Sequence, residues 1–273
     1  AKALIIGPKD TPYYHGYYLF DINYPHNYPF EPPVIKLVTL DPNCKVRLNP
    51  NLYTNGKVCL SILNTWSGPK WSSCQNLSSV LLSIQSLLNE NPIHNEPGWE
   101  GENGKKCNEY NMILTHENFR IAIINILENI PSSFLSFLPI IRDHFINNYN
   151  IIRNRVNLLK MSISDNTTIK TYIYSLIITL NYSDILSKLD NIYINYGGIP
   201  DNIVLSDKDK LEITTEIKNI QQKKRKKPNQ KAKEFKLGHI QLSENDNNKY
   251  VVYEDKNHIK KWKKYKEIPE LNL

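Results

Sequence analysis

The run Asn49-Pro50-Asn51-Leu52-Tyr53-Thr54-Asn55-Gly56-Lys57-Val58-Cys59-Leu60-Ser61-Ile62-Leu63 sets one thiol just after Asn55-Gly56, a strong turn signal. A thiol so close to a turn is expected to be reachable by solvent. Reactive cysteines ordinarily have their pKa depressed by a His⁺, a helix N-terminus or a cation, and the only close charge here is Lys57. The run contains no His to act as base. That disfavours a Cys-His protease, which needs an imidazole and an orienting acid or amide; His94 is the candidate a fold would have to bring in. The default reading of a lone Cys is a small buried hydrophobe.

Working outward, residues 3–6, 17–24 and 33–40 are short runs rich in Leu, Ile, Val and Tyr, separated by Gly-Pro, Pro-Tyr and Pro-Pro punctuation. Such runs predict successive antiparallel strands, a meander. Beyond the thiol, Leu77, Val80, Leu81, Ile84, Leu87 and Leu88 recur on one helical face, predicting a core helix over Asn76–Asn89. Asn91-Pro92 and Glu96-Pro97-Gly98 break that pattern before helical spacing resumes from Tyr110 to Leu127. Further helices are predicted over Pro139–Met161 and Thr168–Leu189. Strands followed by helices indicate an α+β domain. Near the end, Phe235–Leu242 and Lys249–Glu254 have the character of a hairpin across Ser243–Asn248, marginal as an isolated two-stranded ribbon.

The chain has 273 residues, with 34 Lys+Arg against 27 Asp+Glu, a net charge of +7. Its 40% hydrophobic and 22% charged residues argue against full disorder and collagen-like repeats. No apolar run approaches the length of a membrane span; SFLSFLPIIRDHF is cut by Pro139, Arg142 and Asp143. The opening AKALIIGPKD has none of the marks of a secretory signal. Four cysteines, at 44, 59, 74 and 107, are too sparse for a disulfide framework and have no CxxC spacing. Reduced thiols in a cytosolic or nuclear setting, without structural zinc, are the expectation.

The charge is unevenly placed. Residues 1–205 hold 16 Lys+Arg and 16 Asp+Glu, whereas residues 206–273 hold 18 and 11, so the whole excess lies in the tail. Lys223-Lys224-Arg225-Lys226-Lys227 is a compact basic run, and Lys260-Lys261-Trp262-Lys263-Lys264-Tyr265-Lys266 interleaves cations with aromatics. Such runs bind nucleic acid or acidic proteins, act as nuclear localisation signals, or form a solvated flexible tail.

The residues around the thiol form part of an ordered set: Gly7-Pro8-Lys9-Asp10-Thr11-Pro12-Tyr13, Gly16, Tyr28-Pro29-Phe30-Glu31-Pro32-Pro33, Asn49-Pro50-Asn51, Gly56–Leu63, Trp71, and Ser79–Leu88. In order and spacing this set resembles the ubiquitin-conjugating enzymes over roughly residues 3–115. Thr65–Gly68 and Asn91–Gly98 make it most similar to the larger branch loaded by the alternative ubiquitin-activating enzyme, with a likeness extending to about residue 190. The implied fold is an antiparallel meander packed on a central helix. The implied domains are a conjugating core at 1–115, a helical extension at 116–205 and a basic, flexible tail at 206–273. The opening helix and first strand that the family places ahead of Ala3–Gly7 have no counterpart in these residues, so reduced loading is expected.

By this resemblance Cys59 accepts ubiquitin, or a ubiquitin-like modifier, as a thioester and passes it to a lysine amine. Attack on another thioester does not require a strongly acidic thiol, which removes the objection of the missing His. Asn51 matches the Asn of the family's His-Pro-Asn motif, whose amide can donate to an oxyanion or, equally, hold the loop by bonding backbone. Asn49 stands where the family usually has His, at a position that shapes the loop. The carboxylate that receives the lysine proton is matched by Glu96, with His94 next. Phe30 and the loop with Ser73 and Cys74 match the surfaces for activating enzyme and ligase; the usual Ser-Pro-Ala reads Ser72-Ser73-Cys74 here, so ligase pairing is expected to differ. Trp66 and Trp71 are expected to fix the loop beside the thiol. No bound cofactor is implied, since ATP is consumed upstream by the activating enzyme. The implied partners are ubiquitin, activating enzyme, ligase and substrate lysines. Against this stand a catalytically inactive interaction module of the same fold and nucleic-acid binding through the tail.

Overall fold

The computed structural model describes residues 1–199, 232–242, 249–254 and 258–264, and the chain divides into two units, Ala1–Ile217 and Lys218–Leu273. The first unit opens with a meander. Strands β1 (Lys2–Ile6), β2 (Tyr17–Asn23) and β3 (Val34–Leu37) pair antiparallel in the order β1-β2-β3, with Leu4 opposite Leu19 and Phe20 opposite Leu37. Tyr17, Tyr18, Leu19 and Phe20 are all buried. Since successive strand residues face opposite sides, β2 is covered on both.

The helix after the thiol is α1 (Leu77–Leu87), which buries Val80, Ile84 and Leu87 as the spacing predicts. Asn76 starts it: its side chain accepts the Ser79 N–H at 3.0 Å, and the Ser79 hydroxyl accepts the Asn76 N–H at 3.1 Å. This reciprocal pair satisfies two otherwise orphaned donors. Helical structure resumes with α2 (Lys105–Glu117), a π-helical stretch (Asn118–Ile124) and α3 (Asn125–Asn129), followed by the long α4 (Leu138–Ser162). Among the described residues no single helix is long and apolar enough to cross a membrane.

One prediction fails here. Thr168–Leu189 is not one helix: β4 (Thr168–Lys170) and β5 (Ile177–Thr179) form an antiparallel hairpin, and α5 (Tyr182–Asn195) follows. The β-branched Thr and Ile residues favour the extended pleat over the helix. Asn181 caps α5 by accepting the Asp184 N–H at 2.9 Å, so the helix begins where its cap is.

Residues 116–199 share one hydrophobic core with the sheet and α1. Polar bonds fasten them. The Tyr18 hydroxyl donates to Asn118 Oδ1 at 2.7 Å, and the Tyr17 hydroxyl meets His144 Nδ1 at 3.1 Å. Gly16 is what lets Asn118 come close, because a Cβ there would lie 2.0 Å from Asn118 Oδ1. Arg120 bridges Asp41 and the buried Glu117, and His116 Nδ1 donates to Glu117 at 2.7 Å while its Nε2 accepts the Asn181 N–H at 3.0 Å. Burial pushes the Asp41 carboxyl up, but the Arg120 guanidinium and backbone N–H groups outweigh it, leaving a net value below the ordinary one.

In the second unit, β6 (Ile240–Leu242), β7 (Lys249–Glu254) and β8 (Lys260–Lys264) form a three-stranded antiparallel sheet. The hairpin anticipated at Phe235–Glu254 is present and gains a third strand. This corrects the flexible-tail expectation for these residues: Ala232, Tyr250, Val252 and Trp262 supply a small apolar core. Trp262 is therefore a packing residue, not an exposed ring between cations. The basic run Lys223–Lys227, together with Tyr265 and Lys266, lies outside the described residues.

Candidate active site

The thiol loop is held by its own amides. Asn49, wholly buried, donates through Nδ2 to the Tyr13 hydroxyl and to the Leu87 carbonyl, both at 2.8 Å, and its Oδ1 accepts the Asn51 N–H at 2.9 Å. The Tyr13 hydroxyl in turn donates a hydrogen bond to the Leu48 carbonyl at 2.8 Å, and burial pushes its phenol pKa far up, which keeps it a donor. Asn49 thus joins the β1–β2 connection, the loop and α1 through one side chain.

Asn51 and Cys59 are paired twice. The Cys59 N–H donates to the Asn51 carbonyl at 2.9 Å, and Asn51 Nδ2 donates to the Cys59 carbonyl at 2.8 Å. The Asn51 amide thus holds the backbone of the cysteine it neighbours, and its Oδ1 is buried without a hydrogen-bond partner. The turn between them is formed as expected, with Gly56 at φ +86° and a Cβ there coming within 2.6 Å of the Leu37 carbonyl oxygen. A side chain at this position would push β3 away.

The expected exposure of the thiol is not observed. Cys59 is 1% exposed, because the bridges of Leu52 with Val58 and of Lys36 with Lys57 draw the segment against the sheet. A turn places its own tip at the surface but not the residue that follows it into paired backbone. Val58 lines an apolar cleft of about 320 Å³ with Pro32, Ile35, Lys36 and Leu63, and Cys59 does not line it.

Glu96 and His94 lie on the short 3₁₀ turn Pro92–Asn95 and its exit. Asn95 ties this turn to α1 through the Leu87 carbonyl at 3.0 Å and to the thiol loop through Asn49 Oδ1 at 3.5 Å. His94 Nε2 donates to the Glu102 carbonyl at 2.8 Å and so anchors the following loop. Glu96 Oε2 accepts the Tyr174 hydroxyl at 2.6 Å. Tyr174 comes from the β4–β5 hairpin, in a segment whose spacing predicts helix, so nothing in the pattern of residues 168–189 points to it.

Phe30 is 81% exposed, and Ser73 and Cys74 are exposed as well. Trp71 links their two loops by donating Nε1–H to the Pro29 carbonyl at 2.7 Å. Thr65 accepts the Leu60 N–H at 2.9 Å and donates to the Val58 carbonyl, also at 2.9 Å, closing the loop after Cys59. All four cysteines are free, and among the described residues no group of three or more His, Cys, Asp or Glu side chains is placed to hold a metal.

An α+β domain with an amide-braced cysteine loop is what this meander and helix define. The ubiquitin-conjugating enzyme family model matches residues 1–115, and this part of the chain belongs to that family. Ubiquitin-conjugating enzyme E2 Z of Danio rerio is 46% identical over 169 residues, covering 60% of this chain and 51% of that protein. The Homo sapiens protein of the same name is 56% identical over 128 residues, covering 46% of this chain and 36% of that one. The chain thus spans about half or less of these curated relatives. A solved Toxoplasma gondii ubiquitin conjugating enzyme E2 domain aligns at 35% identity over 36% of this chain and 60% of that chain, with a TM-score of 0.29.

Proposed function

We propose that the chain is a ubiquitin-conjugating acyltransferase, with Cys59 the carrier of ubiquitin or a ubiquitin-like modifier. The observation that supports it most is the double pairing of Asn51 with Cys59 inside a domain of this family. In the first step the Cys59 sulfur attacks the thioester carbon on the activating enzyme, the old C–S bond breaks, and the activating enzyme's sulfur leaves as a thiol by taking up the proton that Cys59 gives up. In the second a lysine nitrogen attacks the Cys59 thioester carbon, the C–N bond forms, the C–S bond breaks, and sulfur recovers a proton.

Asn51 has two amide hydrogens, and the Cys59 carbonyl takes one. The other is the candidate donor to the oxyanion of the tetrahedral intermediate. Glu96 is the candidate acceptor for the lysine proton, and His94 acts only by holding the loop. Because Cys59 is buried, loading requires the side chains over it to move when the activating enzyme engages. Phe30, Ser73 and Cys74 form the partner-facing rim, with activating enzyme and ligase as its occupants and substrate lysines as acceptors. ATP is consumed at the activating enzyme.

Residence in the cytoplasm and nucleus is part of the same reading, motivated by Lys223–Lys227. Nucleic-acid binding by the basic tail is the weaker alternative, since the burial of Trp262 removes a ring that would have stacked on bases. It would be recognised by steeply salt-dependent binding that disappears with residues 206–273.

The test is a loading assay with activating enzyme, ATP and ubiquitin, resolved with and without reducing agent beside Cys59→Ala. A reducible adduct present in the unaltered chain and absent in the variant is the expected outcome. A properly folded chain that forms no adduct with any ubiquitin-activating enzyme would return the interaction-module reading.

A further inference from the structure

Tyr174 lies outside residues 1–115, the part that matches the family model, yet it touches Glu96 and Arg47, each in a segment bonded to the Asn49–Asn51 stretch. On one side its hydroxyl donates to Glu96 Oε2 at 2.6 Å, next to Asn95, which is bonded to Asn49. On the other its ring centroid lies 4.4 Å from Arg47 Cζ, and the same guanidinium lies 3.7 Å from the Tyr53 ring. Arg47 in turn donates through Nη2 to the Pro50 carbonyl, one residue before Asn51. Cation and rings attract each other through the ring quadrupole, so Arg47 holds Tyr53 and Tyr174 together.

The backbone at this point is unusual. Tyr174 and Ser175 have φ of 56° and 49°, the left-handed region that bulky residues seldom enter. Each such residue costs on the order of 1 kcal/mol, and the cost persists only where surrounding contacts over-determine the conformation. Here those contacts are the Glu96 bond, the Arg47 stack and an edge-on approach to Tyr110 at 6.2 Å. Burial, then the bond to Glu96, hold the Tyr174 phenol far above its ordinary pKa, so it remains a donor.

We propose that Tyr174 is a positioning residue for aminolysis: its hydroxyl fixes the Glu96 carboxylate, through Oε2, beside the thiol loop so that Oε1 receives the proton of the attacking lysine. This rests on the reading of Cys59 as a thioester carrier. Near neutral pH only about one lysine in a thousand is uncharged, so a fixed carboxylate that takes the proton raises the reactive fraction. As the nitrogen bonds to the thioester carbon, its proton passes to Glu96, the C–S bond breaks, and the departing Cys59 thiolate is reprotonated from Glu96 through solvent. The helical extension would then contribute to catalysis as well as to folding.

The experiment compares the full chain with Tyr174→Phe, loaded with ubiquitin and discharged onto free lysine between about pH 7 and 9.5. The phenylalanine keeps the ring against Arg47 and removes only the hydroxyl. Loading within about twofold of the unaltered chain is expected, with discharge at pH 7 slowed about 5- to 20-fold and the gap closing to about twofold at pH 9.5, where lysine is neutral more often. In a Glu96→Gln background, Tyr174→Phe should slow discharge by no more than about twofold further, since the two act as a unit. Equal discharge at pH 7, a slowing that is the same at every pH, or losses that multiply would each overturn the proposal. An unaltered chain that never forms the reducible adduct would instead sink the thioester reading, and this inference with it.

Discussion

The loop carrying Cys59 and the rim carrying Phe30, Ser73 and Cys74 belong to one domain and are treated oppositely by the fold. In the loop, Asn49 and Asn51 are buried; Asn49 spends its amide on side-chain and backbone bonds, and Asn51 gives one amide hydrogen to the Cys59 carbonyl. In the rim, Phe30 is 81% exposed, and only the backbone behind it is fastened, by Trp71. A loop that must present reacting atoms at fixed positions gains from satisfied, rigid amides. A surface that meets several partners needs its side chains bare and its backbone stiff. Burial thus goes with the residues proposed for the reaction, and exposure with those proposed for recognition.

Alkylation of the four thiols should break this contrast most readily if it is wrong. Cys74 and Cys44 are expected to react on the order of 100-fold faster than Cys59 in the folded chain, the rates converging in denaturant. Mass spectrometry after timed labelling reads this directly, and a Cys59 as fast as Cys74 would mean an open site.

A smaller effect separates loop and rim in stability. Asn49→Ala takes one of two side-chain donors from the Leu87 carbonyl, removes the donor to the Tyr13 hydroxyl and leaves the Asn51 N–H without its acceptor, so a loss of about 2–3 kcal/mol is expected in urea unfolding. Asn76→Ala, which removes only the α1 cap, should cost about 1 kcal/mol. Phe30→Ala should shift unfolding by less than about 0.5 kcal/mol while lowering ligase-stimulated discharge. A Phe30 variant as destabilised as the Asn49 variant would erase the distinction.

Several elements are legible in the residues alone. The three strands, the face of α1 and the extent of α4 follow from periodicity and punctuation, because each depends on neighbours within a few residues. Cys59 and its companion Asn51, eight positions apart, are legible because an ordered set of motifs surrounds them. Thr168–Leu189 reads as a helix because apolar residues recur there at spacings compatible with either period, and the β-branched content is the signal that divides it. The burial of the thiol escapes such a reading because an Asn-Gly turn reports on its own tip and not on what pairs with the chain beyond it. Trp262 escapes for a similar reason, since alternation along β8 sends it to the small core and its lysine neighbours outward.

The ordered motifs of residues 1–115 carry the family resemblance and single out the cysteine, because these signals are written in residues close together in the chain. The burial of that cysteine and the union of the extension with the core come only with folding. So do the approach of Tyr174 to Glu96, across 78 residues, and of Tyr17 to His144, across 127. Contacts over such separations depend on the summed packing of every element between them, and no local pattern encodes that sum.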